Sequence, residues 1–272
     1  MKRLIIIASS VLIMTGCNQD TAETLKSDFL TQADLVVEGK ETLQTNQLED
    51  NETDMNEEEQ ENNPTDESSE RNEPEDNAII VEDPHALDVV VNKVRRLPKG
   101  FVPKNLVEPQ VPFNASEGNP KRLLREEAAN ALEELFAAAK EEGFDLVAQS
   151  GYRSIERQIE LYNWYVENYG QDWVDQYSAV PGHSEHHTGL TMDITSDVVA
   201  MELVEAFGET EPGQWVEEHA HEYGFVIRYP KGKSDITGYS YEPWHLRYFG
   251  VETATDIYES GVTVEEYYGF VE

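Results

Sequence analysis

The chain has a single cysteine, Cys17, in 272 residues, so no internal disulfide can hold it together. Basic residues are also scarce: 20 Lys and Arg stand against 55 Asp and Glu, a formal net charge of −35. Phosphate backbones need a cationic face, and this composition excludes nucleic acid as a partner. Long apolar runs are missing too. The run at residues 4–14 is well short of the ~20 residues that span a bilayer as a helix.

That short run carries information of its own. Lys2 and Arg3 precede it and Thr15-Gly16-Cys17 follows it, the layout of a secretory signal. A cysteine directly after Gly16 points further, to a bacterial lipoprotein signal spanning 1–16, with Cys17 lipidated as the first mature residue. Met14 stands where such boxes most often have Leu. Plain secretion with an incidental cysteine is the alternative. The only thiol of an exported chain, lying at the cleavage point, favours the anchor. The expected location is outside the cell membrane, attached to it through Cys17.

Residues 49–76 hold fourteen acidic residues against one Arg, with almost no large apolar side chain. Such a stretch cannot bury enough surface to offset its ordering entropy. Residues 17–78 are therefore expected to be an acidic, self-repelling tether. The domain is expected over 79–272, and it too is acidic. From residue 88 onward 33 acidic residues face 15 basic ones, a net of −18. We read this as adaptation to a saline or alkaline exterior.

Within the domain, Leu124, Ala128, Leu132, Leu135 and Ala139 recur at helical spacing, and Gly143 closes the helix. Residues 145–150 form a short apolar strand broken by Gly151, which puts Tyr152 and Arg153 on a turn. Ser154 can cap a second helix with Ile155, Ile159, Tyr162 and Val166 on one face. After a loop over 171–188, residues 190–195 alternate, with Leu190, Met192 and Ile194 opposite Thr191, Asp193 and Thr195. A helix over 215–223 and strands near 225–229 and 244–249 follow. Helices and strands mix without βαβ alternation, so the expected class is α+β, helices packed on a small, mostly antiparallel sheet.

The chemistry concentrates in three stretches: Ser150-Gly151-Tyr152-Arg153-Ser154, Ser184-Glu185-His186-His187-Thr188-Gly189-Leu190-Thr191-Met192-Asp193 and Glu242-Pro243-Trp244-His245. A catalytic zinc takes three protein ligands and leaves a fourth position open. One histidine of the 183–187 cluster, with Asp193 and His245, can supply them, but composition does not separate His183, His186 and His187. Asp193 alone would pass for a solvated carboxylate. Glu242 is a candidate base. In a straight strand Glu242 and His245 would face opposite ways, so either the chain bends at Pro243-Trp244 or the base approaches from a loop. A surface Glu and a packed His beside a core Trp is the plain alternative. Arg153 suits a carboxylate or an oxyanion, or is a solvated loop residue. Tyr239, Tyr241 and Trp244 can line the pocket or serve as core. His219 and His221, two apart on a helix, share no face.

These stretches, in this order, resemble the VanY-type zinc D-alanyl-D-alanine carboxypeptidases, whose pattern is Ser-x-His-x-x-Gly-x-Ala-x-Asp followed by Glu-x-x-His. Thr191 stands where Ala is usual. The likeness runs over about 97–250 and implies a Hedgehog/DD-peptidase-like fold. It implies His186, Asp193 and His245 as ligands of one zinc and Glu242 as base. Arg153 is implied at the substrate carbonyl or carboxylate and Gln158 and Ser184 in the pocket, while Tyr241 and Trp244 are substrate-binding candidates from the residues themselves. The implied function is a monomeric D,D-carboxypeptidase that takes the terminal D-alanine off peptidoglycan stem peptides. An L,D-carboxypeptidase, a D,D-dipeptidase, or a non-catalytic zinc-containing wall-binding lipoprotein are the other readings.

Overall fold

The computed structural model describes residues 77–171, 174 and 178–271. The signal segment, Cys17 and nearly all of the acidic tether lie outside these residues. Two short pairings lead in: β1 (Ile79–Ile80) runs parallel to β2 (Arg95–Arg96), and β3 (Leu106–Val107) antiparallel to β4 (Leu124–Arg125). The main sheet contains β5 (Leu146–Ser150), β6 (Thr191–Ser196), β7 (Phe225–Tyr229) and β8 (Glu242–Tyr248). Its order is β5-β6-β8-β7 and every pairing is antiparallel, as the α+β expectation required.

Helix α1 (Glu126–Glu141) buries Ala128, Leu132, Leu135 and Ala139, the face that the spacing predicts. Leu124 is not part of it but lies one pairing earlier in β4. Helix α2 (Ile155–Tyr169) starts at Ser154, whose Oγ accepts from the Arg157 N–H at 3.0 Å. Its most buried face differs from the expected one: Ile155, Gln158, Leu161 and Tyr165. Three of these four, Gln158, Leu161 and Tyr165, line a cavity, so α2 turns a partly polar face inward. Helix α3 (Glu211–His219), capped by Thr210, passes into a 3-10 turn at Ala220–Tyr223. Short α4 (Ser234–Thr237), then α5 (Val251–Ser260) and α6 (Val264–Tyr267), complete the fold.

β6 is buried on both faces over its whole length. Its alternation therefore separates an apolar layer (Leu190, Met192, Ile194 in the core) from a polar but equally enclosed one, and not a core from solvent. No helix among the described residues is long and apolar enough to cross a membrane.

Candidate metal centre and active site

The middle two strands carry the site. Asp193 of β6 is the register partner of His245 of β8. His186 comes from the 3-10 turn Glu185–Thr188, which Gly189 ends at φ +67° and so swings the chain sharply into β6. A Cβ at Gly189 would lie 2.9 Å from Leu106 Cδ2, so both conformation and space demand glycine. One ligand atom from each of His186, Asp193 and His245 lies within 4.8 Å of the others.

Hydrogen bonds fix which ring nitrogens are available. His186 donates from Nδ1 to the Gly151 carbonyl at 2.8 Å, leaving the Nε2 lone pair 3.4 Å from Asp193 Oδ2. His245 contacts Glu185 Oε2 through Nε2 at 3.2 Å, leaving Nδ1 3.1 Å from Asp193 Oδ1. That Oδ1 is buried and makes no hydrogen bond. Once His245 Nδ1 gives up its proton, lone pairs from three residues converge within 4.8 Å of one another, as a shared cation would need. Two imidazoles and one carboxylate, buried and oriented by their outer hydrogen bonds, fit zinc.

Glu242 reaches the same point because β8 is bulged. Between the Ile227↔Leu246 and Tyr229↔Glu242 pairs, Arg228 alone faces Pro243, Trp244 and His245. Pro243 has no N–H to give to a ladder, and the strand kinks there. Glu242 Oε2 ends up 3.6 Å from His245 Nδ1 on the same side, so of the two arrangements left open by the sequence, the bend is the one found. The Glu242 side chain keeps 25% of its surface accessible. Burial pushes its pKa up to about 7; His245 opposes the rise, while Asp193 and Glu185 add to it. A carboxyl near neutrality can both take and return a proton. Burial holds His186 down at about 3. Burial also disfavours charge on His245, yet the carboxylates of Asp193 and Glu185 raise it to about 9.

Arg153 is clamped by its backbone. Its N–H donates to the His186 carbonyl at 3.2 Å, and its carbonyl accepts from His187 Nδ1 at 2.7 Å. Its guanidinium donates to Gln158 Oε1 at 3.0 Å, and Gln158 is held in turn by Ser178 Oγ and the Ala179 carbonyl. Gly151, just before, has no room for a side chain: a Cβ would stand 2.6 Å from the Leu123 carbonyl. Arg153, Gln158, Ser184 and Trp244 all line a cavity of about 610 Å³ together with the metal triad and Glu242. Tyr241 is not in that lining; its hydroxyl lies against Gly208, and Lys231 sits over its ring. Tyr229 and Tyr239 line the cavity instead. His183, which contacts the Asn92 carbonyl through Nδ1 at 2.6 Å, and His187 are both buried supports.

Beneath the centre lies a charged layer to which the sequence reading assigned no role. Glu185, with a side-chain exposure of 0%, accepts from Arg228 at 2.8 Å and Arg247 at 3.1 Å through Oε1. Arg228 also binds Glu265 bidentately. Arg247 donates to the carbonyls of Leu87 and Val89, and Asn92 donates to Glu265. Burial alone would raise the Glu185 pKa, but Arg228 and Arg247 hold it well below the carboxylate range. Two anions and two cations balance. The signal was in the sequence only as Glu185 inside the second motif and as one arginine in each of two largely apolar strands.

A metal-ready triad, a flanking carboxyl tuned toward neutrality and an arginine on the facing turn define a mononuclear metallopeptidase centre. The comparisons with known proteins agree. The family described as VanY, D-alanyl-D-alanine carboxypeptidase, matches residues 121–251. The putative carboxypeptidase YodJ of Bacillus subtilis (strain 168) is 48% identical over 188 residues, 69% of either chain. The structure of LdcB, an LD-carboxypeptidase, superimposes with a TM-score of 0.70 at 47% identity, over 72% of this chain and 92% of its own. VanY from the VanB-type cassette, a D,D-pentapeptidase solved with Zn(II), does so at 0.54 and 33% identity, over 66% and 97%. This chain belongs to the VanY carboxypeptidase family, and zinc is the metal of that family's site.

Proposed function

We propose that the chain is a zinc carboxypeptidase that removes the C-terminal D-alanine from peptidoglycan stem peptides outside the cell membrane, anchored through Cys17. The observation that carries the reading is Glu242: a carboxyl 3.6 Å from a metal-ligating imidazole, raised toward neutrality, and not needed as a ligand. A purely structural metal site has no use for it, which weighs against a non-catalytic wall-binding role. Zinc, when bound, polarises the scissile carbonyl and acidifies water. Glu242 takes a proton from the attacking water and delivers it to the amine that leaves as the C–N bond breaks. Arg153, braced by Gln158, holds the terminal carboxylate or the developing oxyanion.

Two bonds are candidates. D,D-cleavage of a pentapeptide stem follows from the family description and from the likeness to the D,D-pentapeptidase VanY. L,D-cleavage of a tetrapeptide stem is favoured by the higher identity to LdcB, 47% against 33%, and we adopt it. Mass spectrometry of both stems after incubation with the zinc-loaded protein tests the choice. The tetrapeptide should lose one alanine faster. Preferential trimming of the pentapeptide would restore the D,D reading, and an intact pair of peptides would refute the function.

A further inference from the structure

The cavity wall contains more charge than the chemistry uses. Its acidic lining residues are Glu185, Asp193, Glu202 and Glu242. Glu185 belongs to the buried arginine layer, Asp193 to the metal set and Glu242 to proton transfer. Glu202 is left over. Its backbone carbonyl accepts from Thr195 Oγ1 at 2.8 Å, but among the described residues no cation pairs with its half-buried side chain. In a wall that also presents Arg153 and Lys121, a carboxylate without a partner creates a local demand for positive charge.

The backbone that presents Glu202 is built with care. Ala200 and Met201, directly before it, have φ of +55° and +62°, a left-handed conformation that costs a non-glycine residue energy. Both stay there because the turn is cross-braced: Ala200 N–H donates to the Asp197 carbonyl at 3.0 Å, Met201 N–H to Ser196 at 3.1 Å and Glu202 N–H to Val199 at 3.0 Å. The result ties the turn to the end of β6, the strand that carries Asp193, and turns Ala200, Met201, Glu202 and Leu203 to the cavity. A second polar group on the same lining is also unmet: Ser150 Oγ, on a residue 5% exposed, has no hydrogen-bond partner. At about 610 Å³ the cavity has room well beyond a single terminal alanine.

We propose that Glu202 forms a cation subsite that reads the side-chain ammonium of the diamino acid in the stem peptide. Arg153 would take the terminal carboxylate and Glu202 the ammonium, so that a substrate with both charges is held at two points across the reacting carbonyl. In the L,D reading, on which this inference rests, the diamino acid is the residue whose carbonyl is attacked. Its side chain then starts beside the metal and has the length to leave it. The ammonium keeps its charge through the reaction, so the contact acts on binding and shows mainly in KM.

The test compares two tetrapeptide stems that differ only at the third residue, lysine against Nε-acetyl-lysine, with the zinc-loaded full chain and with its Glu202→Gln variant. A charge-assisted contact in a half-open wall is worth about three- to tenfold in kcat/KM. Wild type should prefer lysine by that factor, mostly through KM, and the preference should collapse in Glu202→Gln and invert in Glu202→Lys. The wild-type preference should also shrink as salt is raised, a readout that needs no variant. An equal preference in wild type and Glu202→Gln would overturn the subsite while leaving the carboxypeptidase standing. Hydrolysis of neither tetrapeptide by wild type would overturn the L,D reading, and the subsite with it.

Discussion

Glu185→Gln removes one charge from the layer under the metal and nearly nothing else. In the native arrangement Oε2 accepts from His245 Nε2 while Oε1 accepts from Arg228 and Arg247. A glutamine has one acceptor oxygen and one NH2. If the oxygen stays with the arginines, the NH2 meets the His245 Nε2–H donor to donor, and the imidazole proton shifts to Nδ1, the atom that should bind metal. If the oxygen turns to His245, two guanidinium groups face an NH2. Either way two buried cations keep only Glu265 as counter-ion, and breaking a buried pair costs about 3–5 kcal/mol of stability. Loss of an outer partner of a metal-bound histidine typically lowers affinity about 10–100-fold. The assay is zinc competition against a chromophoric chelator, with melting of the apo and zinc-loaded forms alongside. Glu265→Gln is the control: it unbalances the same layer through Arg228 but leaves the Glu185–His245 contact in place. We expect both variants to melt lower and only Glu185→Gln to lose zinc affinity. Equal zinc affinity in the two variants would refute the claim that Glu185 sets the donor atom of His245.

Other outcomes follow from the same geometry. Glu242→Gln should retain zinc and bind peptide while turnover falls about 10²–10⁴-fold, measured by steady-state kinetics on an alanine-terminated stem; near-normal turnover would remove Glu242 as the base. Alanine at His186, Asp193 or His245 should each abolish most zinc content by elemental analysis. Arg153→Lys should lower kcat/KM despite keeping the charge, because an ammonium cannot reproduce the guanidinium fork that Gln158 braces. With His245 near 9 in the metal-free site, zinc must displace a proton to bind, so apparent affinity should fall as pH falls, by up to about tenfold per unit between pH 8 and 6; a flat profile in the chelator competition would contradict it. Cys17→Ser should move the protein from the membrane to the soluble fraction of cells without changing hydrolysis.

The sequence displayed the site more clearly than the scaffold around it. Ligand and base motifs are local in sequence, and each lies on one strand or turn: Asp193 on β6, Glu242 and His245 on β8. The bend was one of two arrangements the sequence allowed, since a Glu and a His three apart share a side either in a bulged strand, with Pro243 marking where, or if the Glu comes from a loop. The burial of β6 was hidden, because alternation reads the same whether the polar layer faces water or the interior. The inward face of α2 was misjudged for a related reason: Gln158 is polar, yet it is buried as the brace of Arg153. The charged layer was illegible because its members, Glu185, Arg228, Arg247 and Glu265, come together only through tertiary contact, and in so acidic a chain single carboxylates attract no notice. Tyr241 and Trp244 flank Glu242 and Pro243, but the kink sends one to the cavity and the other to Gly208.

The charged layer also decides how small an autonomous version of this enzyme can be. The segment matching the family, 121–251, contains every candidate catalytic and metal-binding residue, yet it ends before Glu265 and begins after Asn92 and the carbonyls of Leu87 and Val89. A fragment cut to those limits would strand Arg228 and Arg247 in the interior with one carboxylate between them. The chemically complete piece and the foldable piece are therefore different lengths of chain. Of the residues that make up the difference, Asn92, Glu265 and the carbonyls of Leu87 and Val89 lie outside the cavity lining, and through them the flanking chain neutralises charge behind the metal-ligand strand.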